Sequence, residues 1–219
     1  MKMKNLILFL FLFLSFPVLH AQDLICNDRK AISEKLKMIR EADQGIRSRI
    51  IKEMATKDPE AMKKVALEMK AGDKQNQLFI GSFLDRCGWP KGLSAEENNT
   101  IFLVIDHADT AFMAKYFPIL KLQADQGIVA KRDLATLQDR MQLRSGKKQT
   151  YGTQTLKTGN IVTIWPIDDP QNLDERRKEM GLLMMNEYIA LLKKTYQSEV
   201  IWDKDLTVEA AQEKMRKKN

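Results

Sequence analysis

The chain has 219 residues, 44% of them hydrophobic and 30% charged, with a formal net charge of +7. That apolar share excludes a disordered chain, and two cysteines are too few for a scaffold built on disulfides. The basic surplus lacks the clustered face with interleaved aromatics that nucleic-acid binding requires, so no nucleic-acid partner is expected.

The first stretch carries Lys2 and Lys4, then a mostly apolar run from Leu6 to Leu19, then the small residue Ala21. The run is too short to cross ~30 Å of hydrocarbon as a helix. Its order is that of a secretory signal peptide over residues 1–21, cut after Ala21. The expectation is export to the periplasm or the cell exterior, with no stable membrane span once the leader is removed. In that oxidising setting Cys26 and Cys87 are expected to form a disulfide.

The mature chain, residues 22–219, reads as one mainly α (α+β) domain: a helical, bundle-like body with one β-hairpin, at about 148–167, inserted before the C-terminal helices. From Asp28 to Ala55, Ile32, Leu36, Ile39, Ile46, Ile50 and Met54 form one helical stripe. The stripe skips a step between Ile39 and Ile46, and Asp43 fills the inward position. A carboxylate there is costly unless paired, and Arg47, four residues on, can supply the partner.

Asp58-Pro59 starts a second helix, with a capping carboxylate and a proline in the first turn. Asp73 reads as the cap of a third, which carries Leu78, Phe79, Ile80, Phe83 and Leu84 and stops at Gly88-Trp89-Pro90. Ser94-Ala95-Glu96-Glu97 is a capping box for a helix carrying Ile101, Val104, Ile105 and His107. Pro118 is expected to break or restart that helix. Residues 131–144 form another, with Leu134, Leu137 and Met141 inward and Asp139-Arg140 to the side.

Two strands are expected next, Lys148–Leu156 and Ile161–Pro166, joined by the turn signal Lys157-Thr158-Gly159-Asn160. The remainder is helical from about Leu173 to Gln197, with a break signal at Gly181. Leu182, Met185, Ile189, Leu192 and Tyr196 are its inward positions. Val200-Ile201-Trp202 reads as extended, before a final helix from about Thr207.

Several polar motifs come in a distinctive order: Asp43-Gln44-x-x-Arg47, Gly88-Trp89-Pro90, His107 in a helix, and Asp139-Arg140. Gln149-x-Tyr151-Gly152-Thr153-Gln154, Pro166-Ile167-Asp168-Asp169-Pro170, Arg176-Arg177 and Gly181-Leu182 follow. Together they resemble a bacterial family known only as a domain of unknown function, over about Asp43 to Tyr188. The resemblance implies that these residues belong together and supplies no reaction. Its pattern has Gln-His where this chain has Asp106-His107.

If those residues converge, His107 with Asp43 or Asp139 would be the catalytic candidates, since an imidazole titrates near neutral pH. Arg47, Arg140, Gln149, Tyr151, Gln154, Asp168, Arg176 and Arg177 would be the ligand-binding candidates, suited to a polar or anionic small molecule or a peptide. The same set could instead be a structural network in which every member satisfies another. A third reading is a protein-interaction module using Met180, Met184 and Met185, although methionines are commonly core filler.

The leader carries the other histidine, so the mature chain keeps only His107. With no metal-spaced cysteines and no His-Glu-x-x-His, no metal site is expected. Nor is a cofactor: there is no phosphate-cradling glycine loop, and no Gly-x-Ser-x-Gly elbow points to a serine nucleophile. Asp168-Asp169-Pro170 is read as a turn in preference to an oxygen-ligand site.

Overall fold

The computed structural model describes residues 26–56 and 58–216. The leader assigned to residues 1–21 lies outside the described residues, as does the side chain of Met54. The described residues form eight α-helices and three short strands, a mainly helical fold with a small sheet.

Helices α1 (Arg29–Thr56) and α2 (Pro59–Cys87) form a long antiparallel pair. Asp58 caps α2 by accepting the N–H groups of Glu60 and Ala61. The far end of the pair is closed by the disulfide Cys26–Cys87, with Cα atoms 5.4 Å apart. Asp73 starts no third helix. Instead α2 runs through it, because Val65, Met69 and Asp73 step by four along one face. That face meets α1, and Asp73 answers Arg47 there. Leu78 is correspondingly turned out, 62% exposed, while Ile80, Phe83 and Leu84 are buried.

Helix α3 (Ala95–Asp106) opens with the expected capping box, closed by Ser94 and Glu97. It is the central helix, packed against α1, α2 and α5, with Ile101 and Ile105 fully buried. It ends at His107, earlier than the apolar spacing implied. Asp109 restarts the chain as α4 (Thr110–Asp125) by accepting the Phe112 N–H. The break therefore falls at 107–109. Pro118 lies inside α4, where the stripe of Met113, Tyr116, Leu120 and Ala124 continues undisturbed. Helix α5 (Lys131–Arg144) completes the first core.

Strands β1 (Thr155–Thr158) and β2 (Ile161–Ile164) form an antiparallel hairpin around Gly159-Asn160. A third strand, β3 (Glu199–Ile201), pairs parallel to β2 and completes the sheet in the order β1-β2-β3. The first strand starts at Thr155 and not at Lys148. Residues 148–154 are a loop, touching the sheet region by one bridge between Gln149 and Ile167. The C-terminal helical region is divided into α6 (Leu173–Glu179) and α7 (Met185–Tyr196) around Gly181, which takes φ +65°. Tyr196 is 43% exposed, not inward. Helix α8 (Val208–Arg216) follows.

Val162, Ile164, Ile167, Leu173, Met185, Leu192 and Val200 form a second core. Trp165, Leu206 and Ala211 form a third, smaller cluster under α8. The loop 148–154 connects α5 of the first core to α6 beside the second.

Candidate functional site

The polar residues singled out in the sequence separate into two networks. The first lies where α1, α2 and the end of α3 meet. Asp43 occupies the inward position of the α1 stripe and is 4% exposed. Its Oδ1 lies 3.0 Å from His107 Nδ1 and accepts Arg47 Nε at 3.1 Å. Its Oδ2 accepts Gln44 Nε2 at 2.7 Å. Arg47 also donates to Asp73 Oδ1 at 2.8 Å, so one guanidinium joins carboxylates on two helices.

His107 reaches this cluster because α3 ends there. As the C-cap, the last residue with helical backbone angles, it places its Nδ1 against Asp43 on α1. Its side chain keeps 14% exposure, and Nε2 has no hydrogen-bond partner among the described residues. Burial alone would raise the Asp43 carboxyl; hydrogen bonds from His107 and Arg47, with the charge of both, outweigh it and hold it at about 2. Asp43 is therefore an anion across the physiological range.

Asp43, Asp73 and His107 place ligand atoms within 4.8 Å of one another. The Arg47 guanidinium donates to both of these carboxylates. Asp73 was missed in the sequence because it was read as a cap; its step of four from Met69 was the signal that placed it on the facing stripe.

The second network surrounds Asp139. That residue is fully buried, not to the side of α5. Its Oδ1 accepts the N–H groups of Thr150 and Tyr151, and its Oδ2 accepts the N–H and hydroxyl of Thr153. Both oxygens are fully engaged, so Asp43 and not Asp139 is the carboxylate on His107. Burial pushes the Asp139 carboxyl above its ordinary range against these four bonds.

Gln149, fully buried, donates to the carbonyls of Gln154 and Trp165 and accepts the Gln154 N–H. The Gln154 side chain donates to Thr153 Oγ1. Arg177 is buried beneath the same loop, donating to the carbonyls of Tyr151, Gly152 and Leu183, and lies over the Tyr188 ring. Arg176 donates to the Thr150 carbonyl and to Asp169, whose own backbone takes φ +43°.

Gly152 sits at φ +71°, where a side chain is strained, and a Cβ there would lie 2.8 Å from Ile167 Cδ1, which would have to move. Asp168 is exposed and contributes its carbonyl to Arg176. The Tyr151 hydroxyl has no partner among the described residues; burial raises its pKa, and the charge of Asp139 adds to that.

Between the networks, Arg140 Nε faces the buried Asp106 at 3.1 Å. Neither Asp106 Oδ1 nor Arg140 Nε makes a well-aligned hydrogen bond. Burial pushes the Asp106 carboxyl up, against the pull of Arg140, His107, Arg144 and Arg47.

The profile of a family of unknown function, DUF6624, matches residues 30–201, which include both networks and the loop between them. The chain belongs to the DUF6624 family. No curated protein and no solved structure matches this DUF6624 chain. Among the described residues no helix is long and apolar enough to cross a membrane.

Proposed function

We propose that this DUF6624 protein is an exported hydrolase-like enzyme in which Asp43 and His107 form an acid–base pair. The observation that carries it is the 3.0 Å contact between His107 Nδ1 and Asp43, with Nε2 left unpartnered on a partly exposed ring. A carboxylate on Nδ1 fixes the tautomer and stabilises the imidazolium that forms when Nε2 takes a proton. In this reading Nε2 accepts a proton from an attacking water and returns it to the leaving group, so proton transfer balances over one turnover. Arg47 and Asp73 are positioning residues that keep Asp43 charged and still.

The groups around Asp139 have a different role in this reading. Gln149, Gln154, Arg176 and Arg177 spend their hydrogen bonds on the chain itself, which supports a structural network. Tyr151 is the loop member whose hydroxyl remains available to a polar or anionic ligand. Export over a leader at 1–21, and a single domain over 22–219, complete the proposal; the Cys26–Cys87 disulfide supports it, since such bonds persist in oxidising compartments.

The test is a panel of esters, amides, phosphoesters and glycosides turned over by the purified protein and by His107→Ala. Hydrolysis that falls by about a hundredfold or more in the variant is expected of a general base. Hydrolysis equal in both proteins would remove His107 from any reaction found.

A further inference from the structure

A second feature lies apart from the Asp43–His107 contact. A groove of about 780 Å³ runs between the end of α5, strand β1 and α8. Its volume falls in the range of sites that enclose small organic ligands, ~300–1,000 Å³. Leu143, Leu156, Trp165 and Met215 give it apolar walls. Trp165 is 2% exposed and fixed by its indole N–H donating to the Lys147 carbonyl, so that wall is rigid.

Two guanidiniums stand on the same groove, Arg144 and Arg216. Neither forms a direct ion pair among the described residues, although the charges of Asp106 and Asp109 reach Arg144 from a distance. Arg144 is anchored by one nitrogen, which donates to the Ala108 carbonyl at 2.5 Å; its other nitrogens make no hydrogen bond among the described residues. The remaining polar lining, Thr110 and Gln212, is uncharged, and among the described residues no acidic side chain lines the groove. An apolar trough with two guanidiniums held in no direct ion pair has the chemistry of a site for an anion with a hydrocarbon tail.

We propose that this groove binds a free single-chain amphiphilic anion of the fatty-carboxylate class, its tail along Leu143, Leu156, Trp165 and Met215 and its carboxylate between Arg144 and Arg216. The proposal does not depend on His107 being catalytic. A neutral alcohol of the same length lacks the group the arginines would hold, and a short carboxylate lacks the surface the walls would cover.

Calorimetric titration with dodecanoate, below the concentration at which it forms micelles, tests this on the purified protein. Binding of one dodecanoate per chain is expected, with dodecanol and acetate each at least about tenfold weaker. Met215→Glu puts a negative charge on an already exposed wall position, 39% exposed, and is expected to weaken dodecanoate by about tenfold or more without changing the thermal midpoint. The double variant Arg144→Gln, Arg216→Gln is expected to weaken dodecanoate likewise, with a lower thermal midpoint because Arg144 also donates to the Ala108 carbonyl. No dodecanoate binding would overturn the proposal, and so would binding unchanged in Met215→Glu. Association with anionic phospholipid vesicles but not with free dodecanoate would also overturn it.

Discussion

His107 and Asp43 stand 64 positions apart in the chain, yet their Nδ1 and Oδ1 atoms lie 3.0 Å apart. The contact forms because two local rules fail at matching places. Asp43 interrupts an apolar stripe, and His107 is where α3 stops. Together they make one hydrogen-bonded pair at the junction of α1 and α3.

The first consequence concerns acid. Asp43 is held at about 2, below the ordinary 3.8, so the folded state binds its proton less readily than the unfolded chain does. Its contribution is therefore complete above the ordinary carboxyl range and is lost as pH falls from about 4 toward 2, with a size of about 2 kcal/mol. Denaturant unfolding of the wild type and Asp43→Asn at pH 7 and pH 3 checks this. The two proteins are expected to differ more at pH 7 than at pH 3.

Arg140→Met probes a carboxyl shifted the other way, that of Asp106, and its effect should also be largest near neutral pH. It strands the buried Asp106 carboxylate, which burial already pushes upward. A raised carboxyl stabilises the fold below its ordinary pKa, and that stability is lost as pH rises through the raised value. The variant is expected to be roughly 3 kcal/mol or more less stable at pH 7, the usual scale for breaking a buried pair. The deficit should shrink as pH falls toward 4, as read by urea unfolding at both pH values.

Asp139→Ala tests the second network. The Tyr151 and Thr153 N–H groups and the Thr153 hydroxyl lose their acceptor at once, while the Thr150 N–H keeps only Gln142 Oε1. A single buried unsatisfied group costs roughly 1–3 kcal/mol, so a loss of at least about 3 kcal/mol is expected. Amide exchange at Thr150, Tyr151 and Thr153 should rise by more than in the rest of the chain. Unchanged exchange there would show that the loop is held by other contacts.

Much of this was legible in the sequence, and the failures have physical causes. The helices at 131–144 and after Asp58, the Ser94 capping box and Asp43 on its stripe follow from periodicity and caps, which are local. Asp139 was misjudged because periodicity reports one buried face, and the loop 148–154 covers a second. That loop read as a strand because the turn signal at 157–160 and the apolar strand after it call for a partner; its hydrogen bonds go to a carboxylate on α5 instead. Pro118 and Asp73 carry helix-boundary signals that tertiary packing overrides, since the stripes on both sides of each continue in phase. The extended piece at 200–202 was legible as β3, but its parallel pairing with β2 joins positions far apart in the chain, which no local pattern reveals.

The disulfide spans 61 positions and ties the start of α1 to the end of α2. Closing a loop of that size stabilises by roughly 4 kcal/mol in the chain-entropy account. The double variant Cys26→Ser, Cys87→Ser is expected to unfold at correspondingly lower urea, and reductant should lower the midpoint of the wild type while leaving the variant unmoved.

The most direct test of the acid–base pair is the nitrogen-15 NMR spectrum of the single imidazole that remains after residues 1–21 are removed. In the neutral ring the proton is expected on Nδ1, directed at Asp43, with Nε2 bare and ready to accept. Asp43→Asn should abolish that preference. A neutral ring protonated on Nε2 in the wild type would contradict the acid–base assignment, because the atom meant to receive the proton would already carry one.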